Sequence, residues 1–497
     1  MNYSPSFIHE FLRRLEGTAG VANEFPVYRA NDASDRRLLA TCSRLQSFLL
    51  GTGASIFTDC LIPAIVSARR EVVFVTCFWA RSKTLTALHD ALVKLAAHRR
   101  ALMRDALSRG TDGTDGIATL PPLRIRICMS SMRLLHPQSR NGYLYPPSSW
   151  ENKLGLPSPA LLEAAGIQLQ VKSLFFLPLS VMHPKFVIVD RQRAFLPSCN
   201  VSWESWLEGC AEITGDAVTS LLSFYSRTWA DWGDVSDSEQ QRVERAVDDD
   251  TSVTAADLTD LALIQSTAHY RMSPLEGRPT LPTLVLPSPH HRNPRFRPFP
   301  WQKAPAPPGT PLNTALLQLF EQAEQSIYIQ TPNLTCEPVI TALLQALARG
   351  VDVTIVTNRN MMLLEQLVTS GTTTAWCIRS LIRRFHRIRT AAEARTDLEA
   401  GRAAPGRLRI SYFRARSVGT PSDAEEPAHS HLKLTLVDAA YAVLGSGNMD
   451  RASWFTSQEL GILFQDNEFC TRVKAVVDHV LDGRLDVVFD SDERSGP

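Results

Sequence analysis

The chain has 497 residues, and its 52 lysines and arginines almost balance its 51 aspartates and glutamates, which gives a formal net charge of +1. This balance gives no support for a strongly basic protein that binds nucleic acid mainly through its charge. The nine cysteines show no CxxC pair and no Cys/His cluster with zinc-site spacing, so we expect reduced thiols, an intracellular protein and no metal. We also expect neither a signal peptide nor a transmembrane segment, and therefore a cytoplasmic or peripherally membrane-associated protein.

The predicted elements occur in a pattern that is repeated once along the chain. Three segments of the first half align with segments of the second half, namely residues 68–76 with 323–331, 86–92 with 341–347, and 123–127 with 351–355. Strands that alternate with helical segments predict an α/β fold. We therefore expect two lobes related by a pseudo-twofold axis, each with a mixed sheet sandwiched by helices.

The boundaries of these lobes follow from changes in composition. We predict an N-terminal lobe over residues 1–234 and a C-terminal lobe over residues 311–497. The connection between them, residues 235–310, is first acidic and then rich in proline. Its proline run over residues 287–311 is typical of an extended linker rather than a recognition motif. A short helix is predicted within the connection, over Thr254–Ser266.

Each half also contains an insert before its last strands. The inserts span Pro137–Pro157 and approximately Asn358–Arg407. Inserts of this kind often form lids or binding loops, so we expect both to overhang a site. Within the second insert, Trp376–Thr390 has apolar residues at helical spacing and arginines on the opposite face. We interpret it as a surface helix with a solvated basic face, and the alternative is an interfacial helix that meets anionic lipid headgroups.

One motif combines histidine, lysine, aspartate, serine and asparagine, and it occurs once in each half with almost the same spacing. The first copy comprises His183, Lys185, Asp190, Ser198 and Asn200. The second copy comprises His431, Lys433, Asp438, Ser446 and Asn448. In both copies the asparagine follows the histidine by about 17 residues. Two matching copies indicate two halves of one site.

The residue types of this motif suit chemistry at a phosphate. Because a strand alternates its faces, the histidine and lysine of each copy point to the same side. A lysine ammonium neutralises the charge of a phosphodiester, which otherwise repels a nucleophile such as neutral imidazole. We expect Asn200 and Asn448 to donate to the remaining phosphate oxygens. Ser198 and Ser446 lie beside them, and we expect these serines to belong to the same phosphate-binding turn.

This duplicated pattern resembles the HxKxxxxD signature of the phospholipase D superfamily. Residues 327–332 and 348–353 are similar to cardiolipin-synthase-like members. The resemblance implies one active site at the lobe interface, without a metal or cofactor. It also implies that one histidine attacks phosphorus to form a phosphohistidine, while the other protonates the leaving oxygen. We assign His183 as the nucleophile and His431 as the general acid, although the near symmetry leaves the opposite order open.

The resemblance further implies an acidic residue that holds each histidine by its other ring nitrogen. Glu459 stands at the expected position after the second motif. After the first motif Glu212 is the best match, and Glu208 is the alternative. Asp190 and Asp438 close apolar strands, so we predict that they anchor the motif structurally rather than carry protons.

The leading functional hypothesis is a phosphodiesterase or phosphatidyltransferase that acts as a monomer on a glycerophospholipid at the membrane surface. Water or an alcohol is the acceptor. An alternative is a nuclease of the same superfamily, although the near-zero net charge disfavours nucleic acid. Another alternative is an inactive scaffold that binds lipid, and the complete motifs argue against it.

Overall fold

The computed structural model describes residues 5–16, 24–26, 28–29, 31–109, 120–130, 142–174, 181–229, 263–274, 280–291, 306–396, 404–416 and 424–492. Within these residues the protein combines a large mixed β-sheet with helices on its faces, which confirms the predicted α/β class. Among the helices of these ranges, none has the length and apolar character needed to cross a membrane.

The strands pair in the same order in both halves of the chain. In the first half the order is Ile167–Leu174, Leu123–Ser130, Glu71–Thr76, Phe186–Val189, Arg193–Pro197, Trp206–Thr214 and Ala40–Thr52. In the second half it is Leu408–Phe413, Asp352–Thr357, Ser326–Gln330, Leu434–Val437, Tyr441–Gly445, Glu459–Gln465 and Leu281–Ser288. The first three strands of each order are parallel and the remaining pairs are antiparallel, as a pseudo-twofold arrangement requires.

The two sets of strands are joined through their last members. Ala40–Thr52 pairs with Leu281–Ser288 in antiparallel fashion, with Ser43 opposite Leu281. Leu281–Ser288 lies within residues 235–310, so part of the predicted connection is an integral strand of the sheet. The helix predicted over Thr254–Ser266 falls largely outside the described residues, and its last two residues form a short strand, Gln265–Ser266. Shorter strands are Glu24–Phe25, Tyr143–Leu144, Tyr270–Met272, His290–His291, Ala424–Glu425 and His429–Ser430, and Leu485–Asp490 adds to the edge strand Leu408–Phe413.

Helices cover the sheet on both faces. Those of the first half are Ala33–Leu39, Gly53–Ile56, Ile62–Val66, Lys83–Arg109, Pro159–Glu163 and Asp216–Trp229, with a π-helical turn over Phe57–Leu61. Those of the second half are Pro311–Gln322, Glu337–Ala348, Leu363–Ser370, Thr374–Thr396, Arg451–Phe455 and Asn467–Leu481. The N-terminal helix Pro5–Glu16 belongs to residues assigned to the first lobe, yet it packs on Pro311–Gln322 of the second half, where Gln318 Nε2 donates to Phe7 O at 2.9 Å.

The strand Glu71–Thr76 shows how the sheet divides the interior. Its side chains alternate between two hydrophobic cores, with Val72 and Phe74 in one and Val73 and Val75 in the other. The second of these cores also contains the inner faces of the second half and the helices Asp216–Trp229 and Asn467–Leu481. This shared core holds the two halves together and fixes where their motifs meet.

Candidate active site

Each motif histidine is positioned by backbone pairing with the opposite half of the chain. His183 N donates to Gln458 O at 3.0 Å, and Gln458 N donates to Val181 O at 2.9 Å. In the equivalent place His431 N donates to Leu207 O at 2.8 Å. Gln458 and Leu207 lie at the start of the strand that follows the other motif. The site therefore depends on the two halves being docked against each other.

A buried glutamate of the opposite half bonds each imidazole. His183 Nδ1 lies 2.9 and 3.0 Å from the carboxylate oxygens of Glu459. His431 Nδ1 lies 2.8 Å from Glu208 Oε1. Because an ionised carboxylate only accepts hydrogen bonds, Nδ1 carries the proton of each neutral imidazole. Nε2 then holds the lone pair, and among the described residues it has no hydrogen-bond partner in either histidine. Each ring is thus prepared to act through Nε2.

Glu212 does not hold a histidine, which corrects the prediction made from the sequence. It accepts from Arg193 at 2.7 and 3.0 Å and from Ser47 at 3.1 Å. Glu208 and Glu212 share one face of the strand, but four residues separate them by about 13 Å. Glu208 directly follows Leu207, whose carbonyl accepts from His431 N. Glu208, the alternative named from the sequence, is therefore the glutamate that bonds His431.

The two serines of the motifs lie behind the glutamates and contact these carboxylates, whereas the sequence predicted a place for them in a phosphate-binding turn. The Ser198 hydroxyl donates to Glu208, and the Ser446 hydroxyl donates to Glu459. Each hydroxyl also accepts a backbone N–H, from Gly209 at 2.9 Å for Ser198 and from Leu460 at 3.0 Å for Ser446. These contacts hold the carboxylates in place for the histidines.

The motif lysines are buried and bonded to their own motif. Lys185 Nζ donates to His183 O at 2.9 Å, and Lys433 Nζ donates to His431 O at 2.7 Å. Burial lowers the pKa of Lys433 to about 7. Both lysines retain further N–H donors that an anion can accept. The site is therefore suited to a negatively charged ligand, which restores full charge to the lysine.

The causes of the pKa shifts of the two histidines indicate that the motifs share one electrostatic environment. Burial lowers the pKa of His183 and of His431, and the glutamates partly oppose that change. Lys433 contributes to the lowered pKa of His183, and Lys185 contributes to that of His431. Each motif therefore acts on the other. Without a ligand both imidazoles are neutral at neutral pH.

The glutamates keep their charge in spite of their burial. Burial by itself raises the pKa of Glu208 and of Glu459, but their histidines, lysines and serines lower it below its ordinary value. A charged carboxylate beside each ring stabilises the imidazolium that forms when Nε2 takes up a proton. Each pair can therefore exchange a proton with a ligand at Nε2.

The two asparagines differ in what they can offer a phosphate. Asn200 Oδ1 accepts from Phe78 N at 3.2 Å, which leaves its amide N–H groups without a partner among the described residues. Asn448 Nδ2 donates to Asp450 Oδ2 at 2.9 Å, and its Oδ1 is buried without a partner. In the observed arrangement Asn200 therefore offers both amide N–H groups, whereas Asn448 offers one beyond its bond to Asp450.

The aspartates of both motifs anchor the neighbouring strand. The Asp190 carboxylate accepts the backbone N–H groups of Arg69, Arg70 and Glu71 at 2.8 to 2.9 Å. Asp438 accepts those of Glu324, Gln325 and Ser326 at 2.8 to 2.9 Å. Both aspartates have positive φ angles, 52° and 53°, as tight turns after a strand require. These contacts are structural and do not extend to the histidines.

Two further residues, Trp206 and Glu365, lie at the site. The indole ring of Trp206 lies against the second motif, with its centroid 4.9 Å from that of His431. Glu365, in the second insert, is close enough to Asp450 and Glu459 to respond to their charges. Burial, and then these two charges, raise the pKa of Glu365 to about 7. Through Glu365 the second insert contributes to the electrostatics of the site. Within the described part of the chain, no group of three or more histidine, cysteine, aspartate or glutamate side chains is arranged to hold a metal ion.

Comparisons with known proteins find a similar sequence over part of the chain and a similar fold over the whole of it. Residues 316–481 match the family model described as cardiolipin synthase, PLD-like domain. Among solved structures, the phosphatidylserine synthase of Haemophilus influenzae Rd KW20 is 14% identical with a TM-score of 0.53, and the match covers 97% of this chain and 92% of that chain. That likeness extends the fold to both halves.

Smaller solved structures match parts of the chain. NucT from Helicobacter pylori is 13% identical over 35% of this chain and 89% of its own, with a TM-score of 0.24. The phospholipase D family member Nuc from Salmonella typhimurium is 17% identical over 41% of this chain and 96% of its own, also with a TM-score of 0.24. No curated protein sequence matches significantly. The family model thus matches the second half of the chain, and the likeness to the phosphatidylserine synthase structure extends along the whole chain as a likeness of fold.

Proposed function

We propose that the protein is a phosphodiesterase and phosphatidyltransferase that acts on glycerophospholipids through a phosphohistidine intermediate. The observation that carries this proposal is the pair of histidines whose Nδ1 atoms are held by Glu459 and Glu208 while both Nε2 atoms are free. Two such imidazoles, with two lysines beside them, supply a nucleophile, a proton donor and charge neutralisation for one phosphodiester.

In the first step, His183 Nε2 attacks phosphorus and forms a P–N bond. The bond between phosphorus and the head-group oxygen breaks, and that oxygen takes the proton of His431 Nε2. The products are a free alcohol and a phosphatidyl group on His183. Binding of the anionic diester raises the pKa of His431, because the new negative charge offsets the effect of burial and of the lysines. The substrate therefore helps to protonate its own acid.

In the second step, the now neutral His431 removes a proton from water or an alcohol. The resulting oxygen attacks phosphorus and the P–N bond breaks, which restores His183. Water yields phosphatidic acid, and an alcohol yields a new phosphatidyl ester. Lys185 and Lys433 neutralise the non-bridging oxygens in both steps, and the free amide of Asn200 is placed to donate to one of them.

A lipid substrate is supported by the matched proteins. The family model that matches residues 316–481 is described as cardiolipin synthase, and the solved structure that matches along the whole chain is a phosphatidylserine synthase. Both names are those of enzymes that synthesise a phospholipid. We therefore favour transfer over simple hydrolysis when an alcohol is present.

A substrate panel tests this proposal. Phosphatidylcholine, phosphatidylglycerol and single-stranded DNA are incubated with the purified protein, with and without an added alcohol, and the products are resolved by mass spectrometry. We expect head-group release from a phospholipid and a new ester with the alcohol, both absent in His183→Ala. Cleavage of DNA alone would favour the nuclease, and a folded protein without activity on any substrate would favour the scaffold.

A further inference from the structure

The helix Leu363–Ser370, called the insert helix below, has its faces reversed relative to an ordinary surface helix. Its polar residues Gln366, Thr369 and Ser370 are buried. Its apolar residues face outward, with exposed fractions of 40% for Leu363, 77% for Leu364, 43% for Leu367 and 42% for Val368. A surface helix normally buries its apolar stripe. The described protein therefore offers no packing reason for these four side chains.

Hydrogen bonds fix this orientation of the insert helix. Gln366 Nε2 donates to Asn333 Oδ1 at 2.8 Å, and Gln366 Oε1 accepts from Thr374 N at 2.6 Å. The helix is bounded by two residues in the left-handed conformation, Met362 with φ 53° and Gly371 with φ 64°. A rotation that buries the leucines breaks these contacts. The apolar face is thus held outward by the fold.

The insert helix lies close to the active site. It packs against Arg451–Phe455, the short helix that begins three residues after Asn448 of the second motif. Glu365 of the same helix interacts with Asp450 and with Glu459, the glutamate that holds His183. Whatever covers the apolar face is therefore brought next to the catalytic histidines.

The next helix along the chain, Thr374–Thr396, carries a basic stripe. Its exposed members follow one another at steps of three and four residues, as one face of a helix requires, and they are Trp376, Arg379, Arg383 and Arg387. Trp376 is 55% exposed. Among the described residues these three arginines have no ion-pair partner, whereas Arg384 on another face pairs with Glu337. Unpaired arginines beside a tryptophan suit the headgroup region of an anionic bilayer.

We propose that the insert helix and the basic stripe form the surface through which the protein docks on an anionic phospholipid bilayer. Leu364 and Leu367 enter the boundary of the acyl chains, while Arg379 and Arg383 lie among the headgroups. The inference rests on the proposed function in one respect, because it brings the site to the layer in which a phospholipid diester lies. The arginines give the protein its preference for an anionic bilayer, and the leucines contribute most of the free energy of binding.

Vesicle binding tests the surface without any need for turnover. The protein is sedimented with vesicles of phosphatidylglycerol and phosphatidylcholine, or of phosphatidylcholine alone. Leu364→Glu is expected to weaken binding by at least about tenfold, since one leucine side chain contributes about 1.5–3 kcal/mol when it leaves water. The matched control Leu263→Glu, at a leucine that is 64% exposed elsewhere, is expected to bind like the wild type. Arg379→Gln with Arg383→Gln should reduce binding to the anionic vesicles only.

Activity separates this inference from the proposed function. On a short-chain phospholipid kept monomeric in solution, Leu364→Glu should retain the kcat/KM of the wild type, and on vesicles it should lose activity in proportion to binding. Wild-type-like vesicle binding by a Leu364→Glu, Leu367→Glu double variant would overturn the docking surface. So would a wild type that forms dimers which this double variant abolishes while vesicle binding is unchanged. Vesicle binding that depends on Leu364, without turnover of any phospholipid, would instead overturn the proposed function.

Discussion

Replacement of Glu208 by glutamine removes one buried negative charge from beside His431 and changes almost nothing in shape. Glu208 Oε1 lies 2.8 Å from His431 Nδ1, and its other oxygen accepts the hydroxyl of Ser198. A glutamine still accepts from His431 Nδ1 through its Oε1, while its Nε2 can only donate, so the Ser198 hydroxyl must turn to accept from it, and the imidazolium is no longer stabilised by a negative charge. The variant therefore isolates the electrostatic contribution of Glu208 to the acid and base steps of His431.

The geometry sets the size of the effect. Two unit charges at 2.8 Å interact by about 6 kcal/mol at an effective dielectric constant of about 20, which is an upper bound. The loss of solvation offsets much of that energy, and a hydrogen bond to a charged group contributes about 1.5–3 kcal/mol net. We therefore expect Glu208→Gln to lower kcat by about 10- to 150-fold.

The matched control is Glu212→Gln, the same substitution on the same strand. Glu212 bonds Arg193 and is not in contact with either histidine, so we expect its kcat to equal that of the wild type. Both variants are assayed for head-group release, with thermal unfolding as the test of folding. A Glu208→Gln enzyme with wild-type kcat, or a Glu212→Gln enzyme with the larger loss, would show that the charge of Glu208 does not support catalysis by His431.

Three further predictions concern the remaining parts of the site. His183→Ala and His431→Ala should each abolish turnover while the melting temperature stays close to that of the wild type, and near-normal activity in either would rule out the two-histidine mechanism. Asp438→Ala removes the acceptor of three backbone N–H groups and places alanine at positive φ, so urea unfolding should show a loss of about 2–4 kcal/mol, against roughly half of that for Asp438→Asn. The pH profile should fall on the alkaline side: because burial lowers the pKa of Lys433 to about 7, this lysine loses its proton as pH rises, and kcat/KM should decrease between about pH 7 and about pH 8.5. An increase over that range, measured with a monomeric substrate, would contradict these protonation states.

The repeated motif carried most of what the sequence could predict about the site. The spacing predicted that the histidine and lysine of each copy point to one side of a strand. The strands begin after the lysines, at Phe186 and Leu434, and each lysine bonds the backbone carbonyl of its histidine. The spacing also indicated that Asp190 follows the end of its strand. In the structure the Asp190 carboxylate accepts the backbone N–H groups at the turn that leads into Glu71. Local spacing determines such relations within one segment.

The contacts between the halves were beyond this kind of prediction. Which glutamate reaches His431 depends on the register of one half against the other, and no local pattern distinguishes Glu208 from Glu212 in that respect. The crossed arrangement, in which each half supplies the glutamate for the histidine of the other, also depends on that docking.

Two elements escaped prediction because their composition opposes their structure. The strand Leu281–Ser288 contains Pro282 and Pro287, and proline removes a backbone donor from a sheet, so the segment resembled a linker. The insert helix has leucines that ordinarily indicate a buried face, and only the hydrogen bonds of Gln366 show that the opposite face is inside.

The proposed mechanism requires a phosphohistidine intermediate, and covalent labelling tests directly whether it forms. The wild-type protein is mixed with a phospholipid carrying an isotopic label on phosphorus, quenched within one turnover under alkaline conditions that preserve phosphohistidine, and digested for mass spectrometry. We predict a labelled phosphatidyl group on His183 that disappears when an alcohol acceptor is added. Label on His431 would contradict the assigned roles, and turnover without a labelled histidine would contradict the mechanism.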